Sequence, residues 1–299
     1  MPQRQVLHVR SVPTDPDGRS PAPTEAIAEL EVDGHRLVYE VHGDGPRVFV
    51  FLHGLLLDAA MNRTIARRLA REGHRVLLLE LLGHGRSDKV RHATEHRLEF
   101  HAAHVVALLD HLGLEQAVVG GTSLGANVAL QVAVQSPERV RAMVLEMPVL
   151  ERGAVAAAAQ FTPLLLALRY GWPVLRPATR LAARIPRTGT PVDSFLGLAS
   201  TDPRALAAVL HGLFAGPGCP PARDRRALTH PSLVIGHRGD LLHPMNDAAA
   251  LAAELPNAQL VRAWSVVEAR TFPARITAAI DRFLADVWAP RLAEDTQHA

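Results

Sequence analysis

Val118-Val119-Gly120-Gly121-Thr122-Ser123-Leu124-Gly125-Ala126-Asn127-Val128-Ala129 is the stretch whose reading decides the fold. A short β-branched run meets glycines, passes through one serine and becomes a helical pattern of small apolar residues. Gly121-Thr122-Ser123-Leu124-Gly125 fits G-x-S-x-G, a strand-to-helix turn so sharp that its serine sits in a strained conformation. A β-carbon two residues to either side would clash with the turn, so glycine is needed at both places. The strain lifts the Ser123 hydroxyl out of the sheet, to the N-terminus of a helix whose free N–H groups favour developing negative charge.

Outward from this turn, apolar runs and helical patterns alternate. Residues 26–32 and 36–41 read as strands joined at Asp33-Gly34, and 48–52 and 76–79 as strands buried on both faces. Asp58 is placed to cap a helix that runs to about Glu72. Helical spacing covers 94–111, and 140–146 is the next strand. Strands resume at 232–235 and 258–261, with helices over 247–255 and 273–287. This alternation predicts an α/β fold with a mostly parallel sheet covered by helices on both faces. Residues 151–228 hold apolar helical segments broken by prolines and no buried-strand pattern, which reads as a helical lid insertion. The expected organisation is a flexible leader at 1–25, a core of 26–150 and 229–289, the lid, and a polar tail at 290–299.

The chain has 299 residues and a net charge of +2, with its basic residues dispersed, so nucleic acid is not an expected partner. One cysteine, Cys219, excludes an internal disulfide and suits a reducing compartment. It lies in a Gly-Pro-Gly-Cys-Pro-Pro loop and reads as an inert thiol. No signal-peptide pattern or membrane-spanning run appears, and the expected location is the cytoplasm.

His53-Gly54 after the third strand, Gly83-His84-Gly85-Arg86-Ser87-Asp88 after the fourth, the Ser123 turn after the fifth and Gly236–Pro244 after the seventh come in a telling order. On these motifs the chain resembles the α/β-hydrolase family of lidded serine-hydrolase type, over roughly residues 26–288. The resemblance implies Ser123 as nucleophile, the backbone N–H groups of Leu55 and Leu124 as an oxyanion hole, and Asp240 as the acid that orients a histidine. That histidine belongs in the loop after the eighth strand, where this chain has Ser265-Val266-Val267-Glu268. After His243 the remaining histidine is His298, in the polar tail.

Without a base a serine hydroxyl is a poor nucleophile, so three readings stay open. Glu268 occupies the histidine's place and would serve as base if burial or Asp240 raised its pKa. His243, three residues after Asp240, would be a substitute histidine. In the third reading hydrolysis is lost, and the pocket binds a ligand or runs lyase-type or isomerase-type chemistry. Glu146, at the end of the sixth strand, is a second candidate for the acid.

Among the apolar residues of the lid, Phe161, Trp172 and Phe214 are expected substrate contacts, together with His53 and Gly54. The reading is therefore a hydrolase acting on a small-to-medium hydrophobic ester, with no cofactor. The lid could also form a homodimer surface. His92, His96, His101, His104 and His111 crowd one helix without a converging carboxylate or cysteine set, so they read as solvent-facing side chains and not as a metal site. Gly83–Asp88 lacks a phosphate-cradling lysine, which argues against a nucleotide.

Overall fold

The apolar runs become the middle of an eight-stranded sheet in the computed structural model, which describes residues 24–186, 192–265, 268 and 274–289. The proposed tail and nearly all of the proposed leader lie outside the described residues. The strands are β1 (Glu25–Val32), β2 (His35–His42), β3 (Arg47–Leu52), β4 (His74–Glu80), β5 (Ala117–Thr122), β6 (Val140–Glu146), β7 (Ser232–His237) and β8 (Ala258–Ala263). Their spatial order is β1-β2-β4-β3-β5-β6-β7-β8. β2 is antiparallel to both β1 and β4, and every pair from β4 to β8 is parallel. This is the architecture the alternation implied. Central strands are apolar on both faces because both faces carry helices.

The covering helices are α1 (Arg63–Arg71), α2 (Leu98–His111) and α3 (Leu124–Gln135), followed after the insertion by α8 (Met245–Glu254) and α9 (Ala274–Trp288). Val105, Leu108, Val128, Leu130 and Leu251 from α2, α3 and α8 meet Val50, Leu77 and Val119 on one face of the sheet. Ala66, Leu69, Ile276, Ile280 and Phe283 from α1 and α9 meet Phe49, Val76 and Val118 on the other.

Between β6 and β7 the described residues form only helices: α4 (Glu151–Ala182), α5 (Val192–Ala199), α6 (Pro203–Ala215) and α7 (Ala222–Arg226). The expected breaks at Pro163, Pro173 and Pro177 do not occur; all three lie inside α4. A proline removes the bond to the carbonyl four residues back, and here those carbonyls belong to Ala159, Arg169 and Pro173, all on exposed residues. Solvent can satisfy them, so the helix continues. The start of α4 is capped from a distance, because the buried Asp247 carboxylate accepts the N–H groups of Leu150 at 2.9 Å and Gly153 at 2.7 Å.

Arg225 ties the end of this insertion to the core. Its fully buried guanidinium donates to Glu254 at 2.6 Å, Glu151 at 3.0 Å and the Pro220 carbonyl at 2.7 Å. Its Nη1 is also 3.2 Å from Cys219, whose thiol burial pushes up to about 11, as befits an unreactive cysteine.

Candidate active site

The carboxyl ends of the central strands converge on Ser123, which sits between β5 and α3 with φ 56° and ψ −113°. The two flanking glycines are explained by close approach. A Cβ on Gly121 would lie 2.6 Å from the carbonyl carbon of Gly125 and 2.7 Å from the Leu52 oxygen. A Cβ on Gly125 would run into the Leu52 carbonyl. The strand-to-helix turn therefore admits only glycine at both places, and the Ser123 N–H is held by the Glu146 carbonyl at 2.8 Å.

The loop after β7 brings two side chains to the serine. His243 Nε2 lies 2.8 Å from Ser123 Oγ, and His243 Nδ1 lies 2.8 Å from Asp240 Oδ2. The other Asp240 oxygen accepts the N–H groups of Leu242 at 2.9 Å and His243 at 3.0 Å. This four-residue turn folds the histidine back over its own aspartate, so both side chains come from one loop. Burial raises the Asp240 carboxyl, but the His243 ring and the two backbone donors outweigh it and hold its pKa below the ordinary range.

Glu268 does not line the Ser123 cavity, which argues against the one of the three readings that makes it the base. Its carboxylate accepts from Arg275 Nε at 2.8 Å and from the Trp264 N–H at 2.5 Å. The bond from Arg275 is the main cause that lowers its pKa, the opposite of what a carboxylate base requires. Glu146, the second candidate for the acid, does not hold His243, whose Nδ1 meets Asp240. Glu146 accepts the Thr122 hydroxyl at 2.6 Å and lies 3.1 Å from His237 Nε2. Burial lowers the pKa of His237, but the bond and charge of Glu146 overcome this and raise it. Sequence reasoning missed His237, although its position at the end of β7, beside the end of β6, follows from the strand order.

Leu55 and Leu124 both border the cavity next to Ser123, together with Gly54, Phe161 and Phe214. The cavity holds about 420 Å³ and is walled by Met61, Leu98, Val149, Ala157 and Leu213, so its surface is mostly apolar. Phe161 of α4 stacks on Phe214 of α6 with ring centroids 6.1 Å apart. Asn127, one helical turn beyond Ser123, also borders it and ties the insertion to α3. Its Nδ2 donates to the Val149 carbonyl at 2.7 Å, and its Oδ1 accepts the Val149 N–H at 3.1 Å. Its spacing from Ser123 was the signal available in the sequence.

Two expected substrate contacts are corrected. His53 is buried beneath the site, where its Nδ1 meets the Gly54 carbonyl at 2.9 Å and its Nε2 accepts the Leu81 N–H at 3.1 Å. Trp172 lies outside the cavity, under the Arg204 guanidinium at 4.4 Å. Of the five helix histidines His92 and His111 are exposed as expected, whereas His96, His101 and His104 are buried, which corrects the solvent-facing reading for those three. The rings of those three form a chain with His84 and His53, at centroid separations of 5.0–6.4 Å. Burial holds all five linked rings below the ordinary imidazole pKa. Among the described residues no group of three or more His, Cys, Asp or Glu side chains is placed to hold a metal ion.

The glycine-rich loop after β4 is a brace for the sheet. Ser87 Oγ accepts the Val38 N–H at 2.9 Å, and Asp88 accepts the Arg36 N–H at 2.9 Å, which fixes β2 against β4.

Comparisons with known proteins fall on the same region. A sequence model of the alpha/beta hydrolase fold matches residues 47–227. A Mycobacterium phage D29 protein named as a non-heme haloperoxidase is 35% identical over 113 residues, 38% of this chain and 40% of that one. The chain thus spans less than half the length of that relative. A 2-hydroxymuconate semialdehyde hydrolase of Pseudomonas putida is 29% identical over 234 residues, 71% of this chain and 77% of its own. Among solved structures, an enol-lactonase from Burkholderia xenovorans LB400 superposes with a TM-score of 0.69 at 20% identity, over 86% of this chain and 100% of that chain.

Proposed function

We propose, from the premise that this chain belongs to the α/β-hydrolase fold family, that it is a serine hydrolase acting on a small-to-medium apolar ester. One observation carries the reading: the 2.8 Å approach of His243 Nε2 to Ser123 Oγ, with Asp240 at 2.8 Å from the opposite ring nitrogen. A base in hydrogen-bond reach of the nucleophile, oriented by a half-buried acid, is what acyl transfer by a hydroxyl requires.

Ser123 Oγ attacks the ester carbonyl carbon as His243 Nε2 takes its proton. The resulting oxyanion is stabilised by the N–H groups of Leu124 and Leu55, at the positive end of α3. Collapse of the tetrahedral species breaks the C–O bond, and His243 returns its proton to the leaving alkoxide. Water, activated by the same imidazole, then releases the acid from Ser123. Asp240 holds the ring so that Nδ1 carries the hydrogen and Nε2 is free to accept. Phe161 and Phe214 would receive the apolar part of the substrate, with the helical insertion as lid.

The enol-lactonase and the semialdehyde hydrolase named above support hydrolysis of a carbonyl compound without fixing the substrate. The approach of His243 to Ser123 favours hydrolysis over the non-hydrolytic reading, which rests on the missing histidine after β8. The test is labelling by a fluorophosphonate probe together with turnover of short p-nitrophenyl esters. Wild type is expected to label and turn over. Ser123→Ala is expected to lose both, turnover falling on the order of 10⁴ to 10⁶-fold. A wild-type protein with neither property would overturn the proposal.

A further inference from the structure

The outer face of α4 carries apolar side chains that the fold leaves uncovered. Its inner face is a heptad-like seam, in which Phe161, Leu165, Leu168 and Leu175 pack against Leu206, Leu210 and Phe214. Leu166, Tyr170, Val174, Leu181 and Ile185 lie outside that seam and recur at spacings of four, four, seven and four residues. They form one stripe along the helix and just past its end. Tyr170, Val174 and Leu181 are 72%, 80% and 65% exposed, values typical of charged side chains and costly for apolar ones.

Arg169, Arg176, Arg180 and Arg184 run beside the stripe at spacings of seven, four and four. From residue 152 to 186 the chain has five arginines and no acidic residue, and Glu151 at the start of α4 is held by Arg225, so nothing on this helix neutralises the row. The four arginines make no ion pair with a described residue. No helix among the described residues is long and apolar enough to cross a membrane. An exposed apolar stripe flanked by unpaired arginines has the chemistry of a helix lying in a lipid interface, with its apolar side chains among acyl chains and its cations on anionic headgroups.

We propose that α4 docks the protein on an anionic lipid surface through Leu166, Tyr170, Val174, Leu181 and Ile185 and the arginine row Arg169, Arg176, Arg180 and Arg184. The same helix lines the Ser123 cavity with Ala154, Ala157, Ala158 and Phe161. Docking therefore sets the cavity wall within one helix diameter of the lipid, where apolar molecules accumulate.

The experiment is co-sedimentation of the full chain with phosphatidylcholine vesicles, with and without phosphatidylserine. Wild type is expected to bind only the vesicles that contain phosphatidylserine, and to release as salt rises. Each interfacial arginine strengthens partitioning about fivefold, so the triple variant Arg176→Gln, Arg180→Gln, Arg184→Gln is expected to bind on the order of a hundredfold more weakly. The variant Tyr170→Ser, Val174→Ser, Leu181→Ser is expected to lose binding as well. All six positions are exposed, and matching thermal melts would show that both variants fold. Ser123→Ala is expected to bind as wild type does, which separates docking from hydrolysis. Wild type that ignores phosphatidylserine vesicles, or equal binding by the arginine variant, would overturn the proposal. So would a lipid-free homodimer that dissociates on substitution of the apolar stripe, which would give the face to a second copy.

Discussion

Asp240 and His243 lie three residues apart in one loop, and their roles can be separated by substitutions that keep the turn. Asp240→Asn retains the oxygen that accepts the Leu242 and His243 N–H groups but loses the charge opposite the ring. Loss of about 10³ to 10⁴-fold in kcat/KM is expected, with little change in the melting temperature, since the imidazole then favours the wrong tautomer. Glu268→His is expected to give no gain in turnover, because position 268 faces Arg275 and the Trp264 N–H and does not line the Ser123 cavity; a gain of tenfold or more would restore position 268 to the site. Ser123 was legible because its two glycines are demanded by backbone contacts, which leave a mark in the sequence. His243 was less so. A histidine three residues beyond an aspartate looks like any loop histidine until the turn closes, and Glu268 holds the place where the family pattern puts the base.

At the scale of elements, the sheet and its covering helices followed from periodicity, because burial on two faces forces uniform apolar runs. The insertion was harder to read. Its prolines mark breaks only where the freed carbonyl has no other partner, and on the exposed side of α4 solvent supplies one. Its anchors are also distant in sequence: Asp247 caps α4 across 97 residues, and Arg225 reaches Glu254 and Glu151. Arg225→Ala would leave two carboxylates and the Pro220 carbonyl without their donor. Chemical denaturation is expected to report a loss of about 3 to 5 kcal/mol, and a loss below 1 kcal/mol would show that the clamp is not needed.

For the whole molecule, the buried histidine chain predicts sensitivity to acid. Burial lowers His53, His84, His96 and His101, and brings His104 to about 4. A histidine lowered in the folded state binds fewer protons than in the unfolded chain, so stability falls as pH drops below about 6.5. His237, raised by Glu146, acts in the opposite sense: its contribution is present in acid and fades as pH rises through its folded pKa. The lowered histidines outnumber it. His104 alone corresponds to about 3 kcal/mol by pH 4. Melting temperature is therefore expected to fall steadily from pH 7 to pH 4.5, and His104→Gln is expected to flatten that slope; a melting temperature constant across the interval would contradict the account. The sequence places His96, His101 and His104 near one helix with no metal-ligand partners and so reads them as solvent-facing; the loop after β4 and the helix α6, packed against that region, enclose them.

The claim on which the rest depends is that His243 is the base for Ser123, and the rate of fluorophosphonate labelling measures it most directly. Three folded proteins suffice: wild type, His243→Gln and Glu268→Gln. The account predicts that His243→Gln labels at least about 10³-fold more slowly, while Glu268→Gln stays within a few-fold of wild type. The reverse order, with Glu268→Gln silenced and His243→Gln active, would contradict it.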